Sequence, residues 1–254
     1  MPLPVLAEGD VTALVPGVSD VGAVTRGGQK IVFPGTIQGQ RCAIKFMLAR
    51  SDEGPSSQVE QSVDVLDEVT ARARREVSVL RECNSPCLVR IGPIPLTRTE
   101  WNGQQLLYFT EELIDGEDLH RILAREQTLE VPPLIQLARN IGEAIRVLWT
   151  VAKIHRDVKP GNIMRRRVDG SFVLLDMGMV FDLEDDSITA AGFIPGTPIY
   201  FSPEQTEFAR KRLMDFRSDL FSLGIVLYEA ATGHHPFRTP DARSTRDVVG
   251  NILT

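Results

Sequence analysis

The spacing of hydrophobic and polar positions changes partway along the chain and separates it into two parts. In the first part, short runs rich in Val and Ile are separated by glycine-bearing turns, a pattern typical of β-strands. The predicted strands cover residues 17–25, 29–37, 40–48, 84–96 and 104–113. Between them, residues 63–83 carry apolar side chains at helical spacing and predict one long helix.

The second part of the chain has a helical pattern. A long helix is predicted at 132–153, where prolines stand at the start, and another at 218–233, which is almost entirely apolar. Glycine is favoured just after the end of a helix, so Gly233 is predicted to end the second one. A strand-rich lobe followed by a helix-rich lobe, joined near residues 113–116, predicts an α+β fold.

Composition narrows the class of protein. The 254 residues are 43% hydrophobic and 24% charged, enough apolar material for one large domain or two small lobes. The formal charge of −6 argues against a nucleic-acid-binding surface, which usually carries a basic excess. The chain shows neither a membrane-span pattern nor a secretory leader, so we expect a cytoplasmic protein without membrane contact. The cysteines lack metal-ligand spacing and are expected to be reduced thiols.

The stretch "IHRDVKPGNIMRRRVDGSFVLLDMGMV", residues 154–180, has the sequence pattern of a β-hairpin and carries several polar side chains. Two strand-like runs flank Asp169-Gly170, which is a two-residue turn signal. Because a hairpin brings its ends together, Asn162 and Asp176 are predicted to lie side by side. An amide and a carboxylate offer the hard oxygen ligands that suit Mg²⁺. Asp157 lies upstream of the hairpin and is predicted to face a nucleophile instead of the metal.

These residues belong to a larger set of motifs in a fixed order. The set comprises "CAIKF", "REVSVLRECNSPCLV", "HRDVKPGN", "DMG", "GTPIYFSPE" and "SDLFSLGIVLYE". It resembles the protein kinase domain of the bacterial serine/threonine type, and the resemblance runs from about residue 22 to residue 237. The lysine two residues after Asp157 is the arrangement of serine/threonine kinases, and "GTP" before Tyr200 points the same way.

The resemblance implies a bilobal protein-kinase-like fold. We expect an N-terminal extension at 1–20, an antiparallel β-sheet N-lobe with one regulatory helix at 21–114, and a mainly α-helical C-lobe at 115–254. The last helices of related C-lobes are expected to be missing, because the sequence ends soon after "TGHHPF". A partner or a second copy is then expected to cover the apolar base.

The resemblance also implies roles for individual side chains. Catalysis is expected to involve Asp157, Lys159, Asn162, Asp176 and Thr197. Asp157 would accept the proton of the incoming hydroxyl, Lys159 would neutralise the γ-phosphate, and Asn162 with Asp176 would hold the metal ions.

Nucleotide binding is expected mainly in the first lobe. The predicted cofactor-binding residues are Lys45, Glu76, Gly27, Gly28, Lys30, Val32, Ala43, Glu112 and Met164. Lys45 would orient the α- and β-phosphates while Glu76 holds it. Arg156, Ser187 and Thr189 are predicted to be regulatory, because a phosphate on Ser187 or Thr189 would pair with Arg156.

The chain departs from the family pattern in the glycine-rich loop and at Glu111. In this loop, residues 25–30, the chain keeps the middle glycine of the family as Gly27 and adds Gly28, but it lacks the two outer glycines. The loop therefore either binds phosphates weakly, with Lys30 supplying charge, or makes no phosphate contact. Glu111 falls at the back of the adenine pocket, where the family has an apolar or small residue. Since a buried carboxylate is unfavourable unless paired, either the alignment slips by one residue or Glu111 has a partner.

The preferred function is ATP-dependent transfer of the γ-phosphate to a protein hydroxyl. The resemblance implies autophosphorylation in the activation segment, residues 176–204, and Mg²⁺ or Mn²⁺ as the metal. The alternative is a pseudokinase or nucleotide-binding interaction module, suggested by the altered glycine-rich loop. A small-molecule kinase is disfavoured, because such enzymes generally lack a segment like "GTPIYFSPE". The protein substrate cannot be read from the sequence.

Overall fold

The chain forms two compact units in a computed structural model that describes residues 4–26, 30–49, 60–182, 198–206 and 214–254. One unit comprises Met1–Arg81 and Arg90–Leu113, and the other comprises Glu82–Val89 and Ile114–Thr254. The predictions for Gly27, Gly28, Ser187, Thr189 and Thr197 lie outside the described residues.

The first unit is built on a six-stranded antiparallel sheet in the order β1-β3-β4-β6-β5, with β2 also pairing with β3. The strands are β1 (Val18–Ser19), β2 (Thr25–Arg26), β3 (Ile31–Ile37), β4 (Gln40–Leu48), β5 (Thr97–Trp101) and β6 (Gln104–Glu112). Two helices accompany them, α1 (Glu8–Leu14) and α2 (Glu60–Glu82). The strands predicted at 29–37, 40–48 and 104–113 are confirmed.

The two faces of this sheet differ in chemistry because side chains alternate along each strand. One face carries the apolar core of this unit, and α1 packs on it. Its core is formed by Leu6, Val11, Val15, Ile31, Phe33, Ile37, Cys42, Ile44, Phe46, Leu106 and Tyr108. The opposite face carries Val32, Ala43, Lys45 and Glu111, since Val32 pairs with Lys45 and Ala43 with Glu111 across the strands. The predicted nucleotide-binding residues Val32, Ala43 and Lys45 therefore share one face, whereas Glu112, opposite Cys42, lies on the other.

The strand predicted at 84–96 is wrong. This segment is irregular and makes only isolated bridges, from Leu88 to Leu174 and from Ile91 to Glu111. Proline has no N–H group for a strand ladder, and Pro86, Pro93 and Pro95 interrupt the segment. Its backbone still bonds to β6, since the N–H of Gly92 donates to the carbonyl oxygen of Thr110 and the N–H of Thr110 donates to that of Ile94, but no regular strand forms.

We expect that replacing Val11 by Asp destabilises the first unit. Val11 is completely buried in α1, so an aspartate there would lose its hydration without gaining a partner. The free energy of unfolding should fall by about 3 kcal/mol or more. Urea denaturation followed by Trp101 fluorescence in a Trp149→Phe background measures this. Ala13→Asp, on the exposed side of the same helix, is the control, and equal destabilisation by both variants would contradict the packing described here.

The second unit is mainly helical, with short strands in two small sheets. Its helices are α3 (Leu119–Glu126), α4 (Val131–Thr150), α5 (Pro203–Thr206), α6 (Phe216–Thr232) and α7 (Thr245–Leu253). Its strands are β7 (Gly116–Asp118), β8 (Lys153–Ile154), β9 (Ile163–Arg166), β10 (Phe172–Leu174) and β11 (Phe181–Asp182). Strand β9 pairs with β7 and β10, and β8 pairs with β11.

Helix α6 is the apolar helix predicted from the sequence, and both of its ends have a local cause. The carboxylate of Asp215 accepts the backbone N–H of Arg217 and caps the first turn. Gly233 adopts φ 75° and donates its N–H to the carbonyl oxygen of Glu229, as a glycine after a helix commonly does. The predicted end at Gly233 is confirmed.

Candidate active site

The hairpin predicted around Asp169-Gly170 is present as β9 and β10. Its open end holds Asn162 against the residue before Asp176, since the N–H of Leu175 donates to the carbonyl oxygen of Asn162 at 2.8 Å. The predicted two-residue turn is wrong. The N–H of Arg166 donates to the carbonyl oxygen of Ser171, which closes a longer turn over residues 167–170.

Asp157 lies just before this hairpin and is 8% exposed. Its Oδ2 atom accepts the ammonium of Lys159 at 2.7 Å and the side-chain amide of Asn162 at 2.8 Å. Within the described part of the chain, no hydrogen bond reaches its other oxygen, Oδ1. One carboxylate oxygen is thus fixed by two donors, and the second is left to accept a proton or a hydroxyl hydrogen.

The side-chain oxygen atoms of Asn162 and Asp176 are of the kind that bind a hard divalent cation. The Nδ2 group of Asn162 donates to both Asp157 Oδ2 and the Asp157 carbonyl oxygen, which turns the amide oxygen of Asn162 away as a possible ligand. Asp176 adopts a left-handed conformation with φ 62° and accepts the N–H of Gly178 at 3.2 Å. These oxygen atoms come from the two ends of one hairpin, as the sequence predicted.

Asp219 holds the backbone of the loop that leads into Asp157, at residues 155–156. Sequence reasoning did not assign a role to Asp219. Its carboxylate is 1% exposed and accepts the N–H of His155 at 2.7 Å and that of Arg156 at 2.8 Å. Arg156 has a φ of 68°, an uncommon conformation for a residue with a side chain. An acidic residue near the start of the almost wholly apolar helix α6 was the signal available in the sequence.

His155 also supports the loop and is completely buried. Its Nδ1 atom accepts the N–H of Asp157 at 3.3 Å, so the ring proton is assigned to Nε2, which donates to the carbonyl oxygen of Leu175 at 3.0 Å. One neutral imidazole thereby ties the backbone of Asp157 to the strand that leads into Asp176.

The first unit contains a second cluster of charges centred on Lys45, which is 7% exposed. Its ammonium lies 3.3 Å from Glu76 Oε1 and 2.6 Å from Glu111 Oε2. Glu76 in turn accepts Lys30 Nζ at 2.8 Å on both oxygens. The predicted pairing of Lys45 with Glu76 is observed. Of the two alternatives for Glu111, the structure supports a buried residue with a partner.

The remaining predicted nucleotide-binding residues that the structure describes lie in strands or pair with neighbouring side chains. Val32 and Ala43 lie on the same face of the sheet as Lys45. The carboxylate of Glu112 pairs with Arg90 at 3.1 Å, and its N–H donates to the Arg90 carbonyl oxygen. Met164 lies in β9 opposite Val173 and Asp118. Their contacts with a nucleotide stay predictions, as does the phosphate contact of Lys30.

The segment that follows residue 197 is anchored on α6. The hydroxyl of Tyr200 donates to Glu229 at 2.7 Å, and the Ser222 hydroxyl donates to the Tyr200 carbonyl oxygen at 2.7 Å. Glu204 accepts the hydroxyl of Ser218. These bonds fix the end of the predicted activation segment to the helix that also supplies Asp219.

The Asp157 carboxylate beside a lysine in the second unit, and the buried lysine–glutamate pair in the first, are groups of the kind that phosphoryl transfer uses. Residues 27–252 match the protein kinase domain family, and the chain belongs to that family. The match covers the motifs and the residues of both charge clusters.

Curated relatives specify the bacterial serine/threonine type. The chain is 36% identical over 183 residues to serine/threonine-protein kinase pkn3 of Myxococcus xanthus, covering 69% of this chain and 32% of that protein. It is 34% identical over 172 residues to a probable serine/threonine-protein kinase PknB of Bifidobacterium longum, covering 66% and 24% respectively. Serine/threonine-protein kinase PknA of Mycobacterium tuberculosis is 28% identical over 200 residues, covering 78% and 42%. The chain thus spans less than half the length of each of these relatives. In the described residues, no helix is long and apolar enough to cross a membrane.

Proposed function

We propose that this chain transfers the γ-phosphate of ATP to a serine or threonine hydroxyl of a protein. The observation that carries the proposal is the Asp157 carboxylate, whose Oδ2 is held by Lys159 and Asn162 while Oδ1 is available. The family membership and the names of the relatives support the same activity.

In this proposal Asp157 orients the acceptor hydroxyl and takes its proton at Oδ1. Lys159 lies beside this carboxylate and would neutralise the negative charge that develops on the transferred phosphoryl group. Phosphoryl transfer depends on positioning and charge neutralisation, so Asp219 and His155 would contribute by holding the loop that carries Asp157.

Asn162 and Asp176 would hold a divalent cation, Mg²⁺ or Mn²⁺. When bound, such a cation neutralises the phosphate oxygens of ATP. Lys45 would bind the α- and β-phosphates from the first unit, with Glu76 holding its ammonium. We also propose autophosphorylation in the activation segment, a cytoplasmic location and a partner at the base of the second unit. No protein substrate is assigned.

The test is transfer of radiolabelled γ-phosphate to the protein itself and to a generic basic protein, followed by phosphoamino-acid analysis. We expect label on serine and threonine and not on tyrosine. Chelation of the divalent cation should abolish the transfer, and excess Mg²⁺ should restore it. ATP binding without any transfer under these conditions would refute the proposal and favour the nucleotide-binding interaction module.

A further inference from the structure

The charge cluster of the first unit contains more residues than the lysine–glutamate pair of the proposed function requires. Lys30, Glu76, Lys45 and Glu111 form a chain in which positive and negative side chains alternate. Glu76 and Glu111 are almost fully buried, at 1% and 2% exposed, so water screens these charges little.

The distances within the chain are uneven. The ammonium of Lys45 lies 2.6 Å from Glu111 and 3.3 Å from Glu76. Glu76 instead has its shorter contacts, 2.8 Å on both oxygens, with Lys30. The Lys45–Glu76 contact is the longest of the chain, and each of its members has a closer partner elsewhere.

The register of the sheet explains why Glu111 reaches Lys45. Lys45 lies opposite Phe109 on β6, and Glu111 is two residues further along the same strand. Residues two apart in a strand share a face, and a diagonal neighbour is within reach of a long side chain. The contact is therefore built into the pairing of β4 with β6.

Glu111 is not a fully satisfied member of the network. Its Oε1 atom is buried and has no hydrogen-bond partner in the described part of the chain. Burial raises the pKa of this carboxyl group to about 7, and the adjacent Lys45 opposes the rise. A buried acid of this kind is less favourable than an apolar side chain of similar size, so packing alone does not account for it.

We propose that Glu111 competes with the phosphates of ATP for the ammonium of Lys45, while Lys30 competes with Lys45 for Glu76. Glu111 is thus a positioning residue that weakens nucleotide binding by holding Lys45. The proposal rests on the proposed function, because it takes Lys45 as the phosphate-binding residue.

The strength of this competition for Lys45 depends on pH. Below about pH 7 Glu111 carries a proton and leaves the charge of Lys45 to the nucleotide, whereas above it the carboxylate is ionised and competes. The affinity for ATP should therefore fall as the pH rises. The charged groups that face Glu111 are Lys45 from β4 and Glu76 from α2, with Lys30 beyond Glu76.

The test compares the wild-type chain with Glu111→Gln by calorimetric titration of Mg-ATP, Mg-ADP and adenosine. At about pH 8 the variant should bind ATP and ADP about tenfold more tightly, since one competing charge is removed near the phosphates. Adenosine, which lacks phosphates, should bind equally to both. From about pH 6 to about pH 8, the wild-type affinity for ATP should fall about tenfold more than that of the variant.

Two further variants act as controls. Glu111→Met removes the charge and hydrogen-bonding oxygens while keeping an unbranched side chain, and it should reproduce the tighter ATP binding. Glu100→Gln makes the same chemical change at an exposed position of β5 and should leave ATP affinity unchanged.

The outcomes separate this inference from the proposed function. Unchanged ATP affinity in both Glu111 variants, a gain shared equally by adenosine, or ATP binding absent from the wild type and both variants would overturn the inference. ATP binding that responds to Glu111 in a chain that transfers no phosphate would support the inference and refute the proposed function.

Discussion

Replacing Asp157 by Asn should lower the rate constant kcat of phosphate transfer by about a thousandfold, within the range that a positioned general base contributes. The asparagine oxygen can occupy the place of Oδ2 and accept both Lys159 and Asn162, so the loop should keep its conformation. Its amide nitrogen then takes the place of Oδ1. A donor stands where an acceptor is needed, and proton transfer fails.

Initial rates at saturating ATP measure this effect, and nucleotide titration shows whether binding survives. The affinity for ATP should stay within about twofold, since the substitution acts on the acceptor hydroxyl and not on Lys45. Asp169→Asn makes the same change at an exposed position of the hairpin turn and should leave kcat unchanged. A rate for the Asp157 variant within about threefold of the wild type would exclude Asp157 as the base.

Replacing Asp219 by Asn should destabilise the second unit by about 3 kcal/mol and reduce kcat by about a hundredfold. Both carboxylate oxygens accept backbone N–H groups, from His155 and Arg156. An asparagine can satisfy only one of them and turns its own donor toward the other. The backbone N–H left without an acceptor is buried, and the hydrogen bond that it loses was made to a charged carboxylate. Both facts make the loss of folding free energy large for one hydrogen bond.

Urea denaturation followed by Trp149 fluorescence, in a Trp101→Phe background, measures the stability. Hydrogen exchange at the amides of His155 and Arg156 reports on the loop itself and should become faster. Asp215→Asn is the matched control, because asparagine caps a helix about as well as aspartate and the Arg217 pair is largely exposed. If the Asp219 variant kept wild-type stability and loop protection, another residue would have to hold the loop.

The sequence predicted best where the determinants are local. The hairpin needed only two strand-like runs and a turn, and the end of α6 needed only Gly233 after an apolar stretch. The donor atoms around Asp157 lie within a few residues of one another, so the motif itself carries their geometry. The α1 helix was not predicted, because seven residues of mixed composition give no periodic signal.

The parts that could not be predicted depend on contacts between distant segments. Whether Glu111 had a partner depended on the register of β4 with β6, which no local pattern specifies. The contact of Lys30 with Glu76 joins residues 46 positions apart. Asp219 reaches a loop more than 60 positions earlier in the chain. A sequence shows that these residues are polar, but only the fold shows what they face.

The cover that α1 places on the sheet has a practical consequence for anyone who expresses this domain. The family match begins at residue 27, after the segment that supplies Leu6, Val11 and Val15 to the core. A shortened chain beginning there would leave Ile31, Phe33 and the neighbouring apolar side chains uncovered, a surface that favours aggregation. The folding unit is therefore longer than the family boundary, and a recombinant protein should start ahead of Leu6.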